Sequence, residues 1–107
     1  MLNTTILMGR LTADPELRNT PNGVPVLNFS VAVDRDYKVE GQAPTDFIRC
    51  VAWRQTAEFI GKYFKKGQMI AIEGSLQTGS YEKDGINVST IEVSVNAAHF
   101  CGNKPTT

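Results

Sequence analysis

The stretch Asp46-Phe47-Ile48-Arg49-Cys50-Val51-Ala52-Trp53-Arg54 decides the fold. It is rich in aromatic and β-branched residues and has no glycine or proline, which is the composition of a strand. Side chains alternate along a strand, so Ile48, Cys50 and Ala52 share one face and suit a core. The other face carries Phe47, Arg49, Val51 and Trp53. Large aromatics flanking a cation are unusual on the open side of a half-buried strand, and an exposed aromatic patch needs a reason. Flat rings let nucleobases stack while the cation meets a phosphate. Each stacked base contributes about 1–3 kcal/mol whatever its identity. The competing reading buries this strand on both faces, under a helix. Arg49 argues against it, because an unpaired buried charge is costly.

Working outward, residues 26–35 alternate: Leu27, Phe29, Val31 and Val33 face one way, Asn28, Ser30, Ala32 and Asp34 the other. Before them, Thr20-Pro21-Asn22-Gly23 is a tight-turn signal. Asp14-Pro15-Glu16-Leu17-Arg18 reads as a connector. Residues 3–11 read as a first strand, in which Gly9 marks a bulge or bend. The polar loop 36–45 holds Tyr37, either a loop anchor or another stacking ring.

After the central strand, Ala57, Ile60 and Phe64 fall on one face at helical spacing, predicting a helix over 56–65. Thr56 is its expected cap and Gly67 its C′ residue. Lys62, Lys65 and Lys66 sit at its end, where cations suit the helix dipole. Residues 68–77 form a fourth strand with Ile70, Ile72 and Leu76 inward and a bend at Gly74. Residues 78–87 read as an exposed hairpin or loop turning at Lys83-Asp84-Gly85, with Tyr81 on one arm. Residues 88–99 form a fifth strand, Ile91, Val93 and Val95 alternating against Thr90, Glu92 and Ser94.

The expected fold is all-β: a five-stranded OB-fold Greek-key barrel with one α-helix between strands 3 and 4. Periodicity alone leaves open a five-stranded sheet covered by one helix. In an OB fold the second and third strands carry the ligand face, where Phe47, Arg49 and Trp53 lie.

Composition sets the limits. The chain has 107 residues, enough for one domain and one core. Lysine plus arginine balance aspartate plus glutamate at 11 each, which argues against a polycation that coats duplexes but leaves local patches free to act. The N-terminus lacks a charged segment and cleavage site, and no apolar run approaches the ~20 residues of a membrane span. A cytoplasmic protein is expected. Cys50 and Cys101 lack metal-ligand spacing, and His99 is the single histidine, so no metal or other cofactor is expected. No phosphate-cradling loop or catalytic constellation is present, so the expected class is non-enzymatic.

Several segments, in this order and spacing, add specificity: Met1-Leu2-Asn3 with Leu7-Met8-Gly9-Arg10-Leu11, Asp14-Pro15-Glu16-Leu17-Arg18 with Pro21-Asn22-Gly23, Asn28-Phe29-Ser30-Val31-Ala32-Val33, Asp46-Phe47-Ile48 with Trp53, Tyr63-Phe64-Lys65-Lys66-Gly67, and Glu73-Gly74-Ser75-Leu76-Gln77-Thr78. Together they resemble the bacterial single-stranded DNA-binding protein family across residues 1–100. The resemblance implies an OB fold; one domain is expected over 1–101, with 102–107 read from composition as a short polar end. It implies a homotetramer that binds single-stranded DNA without sequence preference in replication, recombination and repair. The family's stacking positions fall on Tyr37, Phe47, Trp53 and Tyr81. Its basic DNA-path positions fall on Arg10, Arg18, Arg35, Arg49, Lys62 and Lys66.

Two departures stand out. Family members carry a long Gly/Pro/Gln-rich linker and an acidic tip that recruits replication and repair proteins, and residues 102–107 show neither. Gly79-Ser80 precede Tyr81 where many members carry basic residues. The alternative from another class is an OB-fold interaction module, such as a primosome-type assembly subunit, that uses the same face for protein contacts.

Overall fold

The computed structural model describes residues 1–37, 40–41 and 44–101. The element order is β1 (Thr5–Leu11), β2 (Glu16–Asn19), β3 (Pro25–Asp34), β4 (Thr45–Trp53), α1 (Arg54–Tyr63), β5 (Met69–Lys83) and β6 (Ile86–Phe100). The sheet runs β1-β5-β6-β4-β3-β2, and an extra β1–β3 pairing, Arg10 with Ala32 and Leu11 with Val31, closes it into a ring of five strands. The OB-fold expectation holds, with β2 lying outside the ring as an added edge strand.

The ring closes because two glycines let backbones approach. A Cβ on Gly9 would stand 2.6 Å from the Ala32 carbonyl oxygen, where β1 crosses onto β3. A Cβ on Gly74 would overlap the Ser94 carbonyl oxygen, with its carbon 2.9 Å away, at the bulge between Glu73 and Gly74. Only glycine fits such contacts, and the register shift there leaves Asn96 of β6 as the extra residue, a bulge that bends that strand.

The inward residues of β3, β4, β5 and β6 meet as expected. Leu27, Phe29, Val31, Cys50, Ala52, Ile70, Ile72, Val93 and Val95 are buried with Leu11. Helix α1 plugs one end with Ala57 and Ile60, and Phe64 follows them into the core, all with no exposed surface.

Five local expectations are changed or narrowed, the hairpin-or-loop reading of 78–87 resolving as the hairpin. Glu16–Asn19 is a strand, not a connector: the turn at Thr20–Gly23 closes a hairpin, so the residues before it pair with Pro25–Asn28. Residues 78–87 are regular β-structure, and only Asp84 and Gly85, both at positive φ (54° and 78°), make the turn. The ladder there needs backbone groups only, so an apolar pattern was no guide. Leu76 and Ile91 keep inward parity but are exposed, because the hairpin has already left the barrel. Val51 has outward parity yet is buried, flanked by Asn28 and Ser94 on neighbouring strands.

The fifth change is at the helix, which starts two residues early and has no side-chain cap. The Thr56 hydroxyl instead donates to the Asn96 carbonyl at 3.4 Å. The helix ends at Tyr63, with Phe64 its extended C-cap. Gly67, at φ 83°, belongs instead to the following turn, in which Gln68 N–H donates to the Lys65 carbonyl. Residues 38, 39, 42 and 43, within the expected polar loop, and residues 102–107, the expected polar end, lie outside the described residues.

Candidate nucleic-acid interface

Paired residues on neighbouring strands share a sheet face, so register alone assembles the outer surface. Phe47 pairs with Ala32, and Ala32 with Arg10. Arg49 pairs with Ser30. Trp53 pairs with Val26, and Val26 with Arg18. Three rows thus cross the barrel wall: Arg10–Ala32–Phe47, Ser30–Arg49 and Arg18–Val26–Trp53. Phe47 and Trp53 are exposed and lie six residues apart, about 20 Å at ~3.3 Å per residue. Arg49 stands between them.

The same face continues onto the long hairpin. Val51 pairs with Ser94 in the parallel β4–β6 ladder, and Ser94 with Ser75. Counting by twos along β5 reaches Gln77, Gly79 and Tyr81, the last exposed and opposite Val88. Tyr81 therefore extends the surface that bears Phe47 and Trp53. Tyr37 is exposed, three residues past the end of β3.

The cations differ in how they are held. Arg49 makes no hydrogen bond or ion pair with another described residue. Arg10 Nη1 donates to the Gly67 carbonyl at 3.0 Å. Arg18 pairs with Glu16 at 3.3 Å, both exposed, and such surface pairs contribute little and exchange readily. Arg35 meets both Asp46 oxygens, at 3.1 and 2.9 Å. That contact holds the Asp46 carboxyl below the usual carboxylate range, chiefly through its hydrogen bond to Arg35. Asp46 has the opposite parity to Phe47, so this pair lies off the aromatic face. Lys62 sits 5.2 Å over the Tyr63 ring on α1. Lys66 follows the helix, its backbone N–H donating to Asp14 Oδ1 at 2.8 Å. The strands thus gather Phe47, Trp53, Tyr81, Arg10, Arg18 and Arg49, while Arg35, Lys62 and Lys66 stand apart from those rows.

Residues 2–101 match the single-strand binding protein family. The chain belongs to that family. It is 46% identical to the single-stranded DNA-binding protein of Oceanobacillus iheyensis, an alignment covering 97% of this chain and 66% of that protein. It is 47% identical to the Halalkalibacterium halodurans protein of the same name, over 94% of this chain and 61% of the relative. With Bacillus subtilis single-stranded DNA-binding protein A it shares 45% identity, over 94% of this chain and 59% of that protein. The chain thus spans less than two thirds of the length of these relatives.

Two features bear on chemistry at this face. Cys50 and His99 do not meet: Cys50 pairs with Val93, while His99 pairs with Ala71 and its ring contacts Glu73 at 3.1 Å. Burial, reinforced by Glu92, pushes the Cys50 thiol up to about 12, so at neutral pH it is an inert apolar group. Sequence reasoning missed the surroundings of Arg49. Asn28, Phe29, Ser30, Arg49, Cys50 and Glu92 line one recess of about 190 Å³. Glu92 was legible as an outward residue of the last strand, but its place beside Arg49 depends on the parallel β4–β6 pairing.

Proposed function

We propose that this domain binds single-stranded DNA without strong sequence preference. The observation that carries this reading is the alignment of Phe47, Arg49 and Trp53 on one barrel face, with Arg10 and Arg18 in register beside the rings. Bases stack on Phe47, Trp53, Tyr81 and Tyr37, and the strand's phosphates meet Arg49, Arg10 and Arg18. Exposed ion pairs such as Arg18–Glu16 can yield to phosphate at little cost. Arg35, Lys62 and Lys66 serve the flanks of the path. Every base has a π-face, so this mode tolerates any sequence. The names of the relatives agree with it.

The wider reading places the protein in the cytoplasm, protecting single strands during replication, recombination and repair as a homotetramer. Support for self-association comes from β1. Its far edge pairs with β3 only at Arg10 and Leu11, leaving residues 5–8 open on that side, and Ile6 and Met8 are exposed. Open, apolar edges invite a second copy.

The test is a fluorescence titration of Trp53 with a thymidine homopolymer at low and high salt. Quenching with saturable, salt-sensitive binding is expected, since counterion release weakens affinity as salt rises. A folded sample that neither binds nor quenches refutes the reading.

A further inference from the structure

The recess beside Arg49 is an unusual feature for a surface that reads only π-faces and phosphates. It places a carboxylate on the path of a polyanion. Glu92 is half-buried and makes no hydrogen bond or ion pair with another described residue, and neither does Arg49. The two come together through the parallel ladder: each lies two residues before the Val51–Ser94 pair. Across β3, Asn28 and Ser30 add an amide and a hydroxyl to the same recess. A carboxylate, a guanidinium, an amide and a hydroxyl therefore line one recess on the stretch of β4 between Phe47 and Trp53, and among the described residues neither charge is held in an ion pair, not even with the other.

The edges of the bases answer this arrangement unequally. A carboxylate needs donors, and it repels carbonyl oxygens. Guanine offers adjacent N1–H and N2–H₂ donors for a carboxylate, and O6 and N7 acceptors that suit an arginine fork. Cytosine and adenine each offer an exocyclic amine but no second adjacent donor. Thymine presents one N–H between two carbonyls. An unstacked base on a single strand exposes these edges to side chains. Given the single-strand-binding reading, on which this inference rests, we propose that the recess formed by Arg49, Glu92, Asn28 and Ser30 is a base-reading subsite that favours guanine. Glu92 takes the N1 and N2 hydrogens, and Arg49, whose guanidinium carries five N–H donors, gives one to O6 or N7 while keeping its phosphate contact. The protein then binds any sequence through stacking, with a superimposed preference at one nucleotide position.

The test compares strands of equal length: thymidine homopolymer, repeats of two thymidines and one guanosine, and the same repeats with inosine, which lacks the N2 amine. Affinities are read by Trp53 quenching, for the wild-type chain and for Glu92→Gln, with thermal melts confirming that both are folded. Removing a negative charge should tighten binding to every strand, so the informative quantity is the ratio of guanosine-repeat to homopolymer affinity. In the wild type this ratio should exceed that of Glu92→Gln by about five-fold or more, the scale of one good base-edge contact. Inosine should lower the wild-type ratio without any change to the protein. If the ratio is the same in both proteins and indifferent to inosine, while homopolymer binding stays intact, the guanine subsite is overturned and the single-strand reading stands. If folded wild-type protein binds none of the strands, both are overturned.

Discussion

Replacing Phe47 with alanine separates binding from folding, because Phe47 is largely exposed and Trp53 remains as the optical reporter. Phe47 is 70% exposed, so less than a third of its surface contacts the protein. Full burial of such a side chain is worth about 1.5–3 kcal/mol, which makes the lost contact about 0.5–1 kcal/mol. Alanine's poorer strand preference adds up to ~1 kcal/mol. A domain of this size should then melt roughly 5–10 °C lower and stay folded at 25 °C. Loss of one stacked base costs about 1–3 kcal/mol, so Kd for single-stranded DNA should rise about 5- to 150-fold. The factor should be similar for thymidine and cytidine homopolymers, since a ring face does not distinguish them. The assay is Trp53 quenching at fixed salt, beside a circular dichroism melt. Binding within two-fold of wild type, in a sample that melts cooperatively, would refute the assignment of bases to this face.

Three further outcomes follow from the geometry. Arg49→Ala should flatten the dependence of log K on log salt by about 0.7, the contribution of one phosphate contact on a single strand; an unchanged slope would remove Arg49 from the path. Gly74→Ala drives a methyl into the Ser94 carbonyl and should destabilise the domain strongly or prevent its folding, whereas alanine at Gly79, whose Cβ would meet only the Thr90 hydroxyl at 3.0 Å, should be far milder; equal melting temperatures would contradict the bulge geometry. In a thiol titration at pH 8, half-buried Cys101 should react and Cys50 should not until denaturant is added, because Cys50 is 2% exposed and its thiol titrates near 12. Prompt reaction of both would show that the barrel opens at β4.

Much of the candidate interface was legible in one strand. Alternation over 46–54 separated Cys50 and Ala52 from Phe47, Arg49 and Trp53, and burial follows that division except at Val51. The same logic placed Leu27, Phe29 and Val31 inside, and Ala57, Ile60 and Phe64 on the buried side of the helix region. Glu16–Asn19 was not legible, because an edge strand with four exposed residues has no apolar rhythm. The length of the β5–β6 hairpin was hidden for the same reason.

The sequence by itself determined what local physics controls: which side chains alternate toward a core, where Asn22-Gly23 and Asp84-Gly85 turn the chain, and where Gly9 and Gly74 permit a bend. Only the tertiary structure decided which strands are neighbours. The closure of β1 on β3, and the parallel pairing of β4 with β6 that sets Glu92 beside Arg49, join segments about 20 to 40 residues apart. Those pairings satisfy backbone N–H and C=O groups that every residue carries, so no side-chain pattern announces them. They emerge when the apolar faces of all five ring strands must be buried at once, and the rows of rings and cations on the outside are set by that closure.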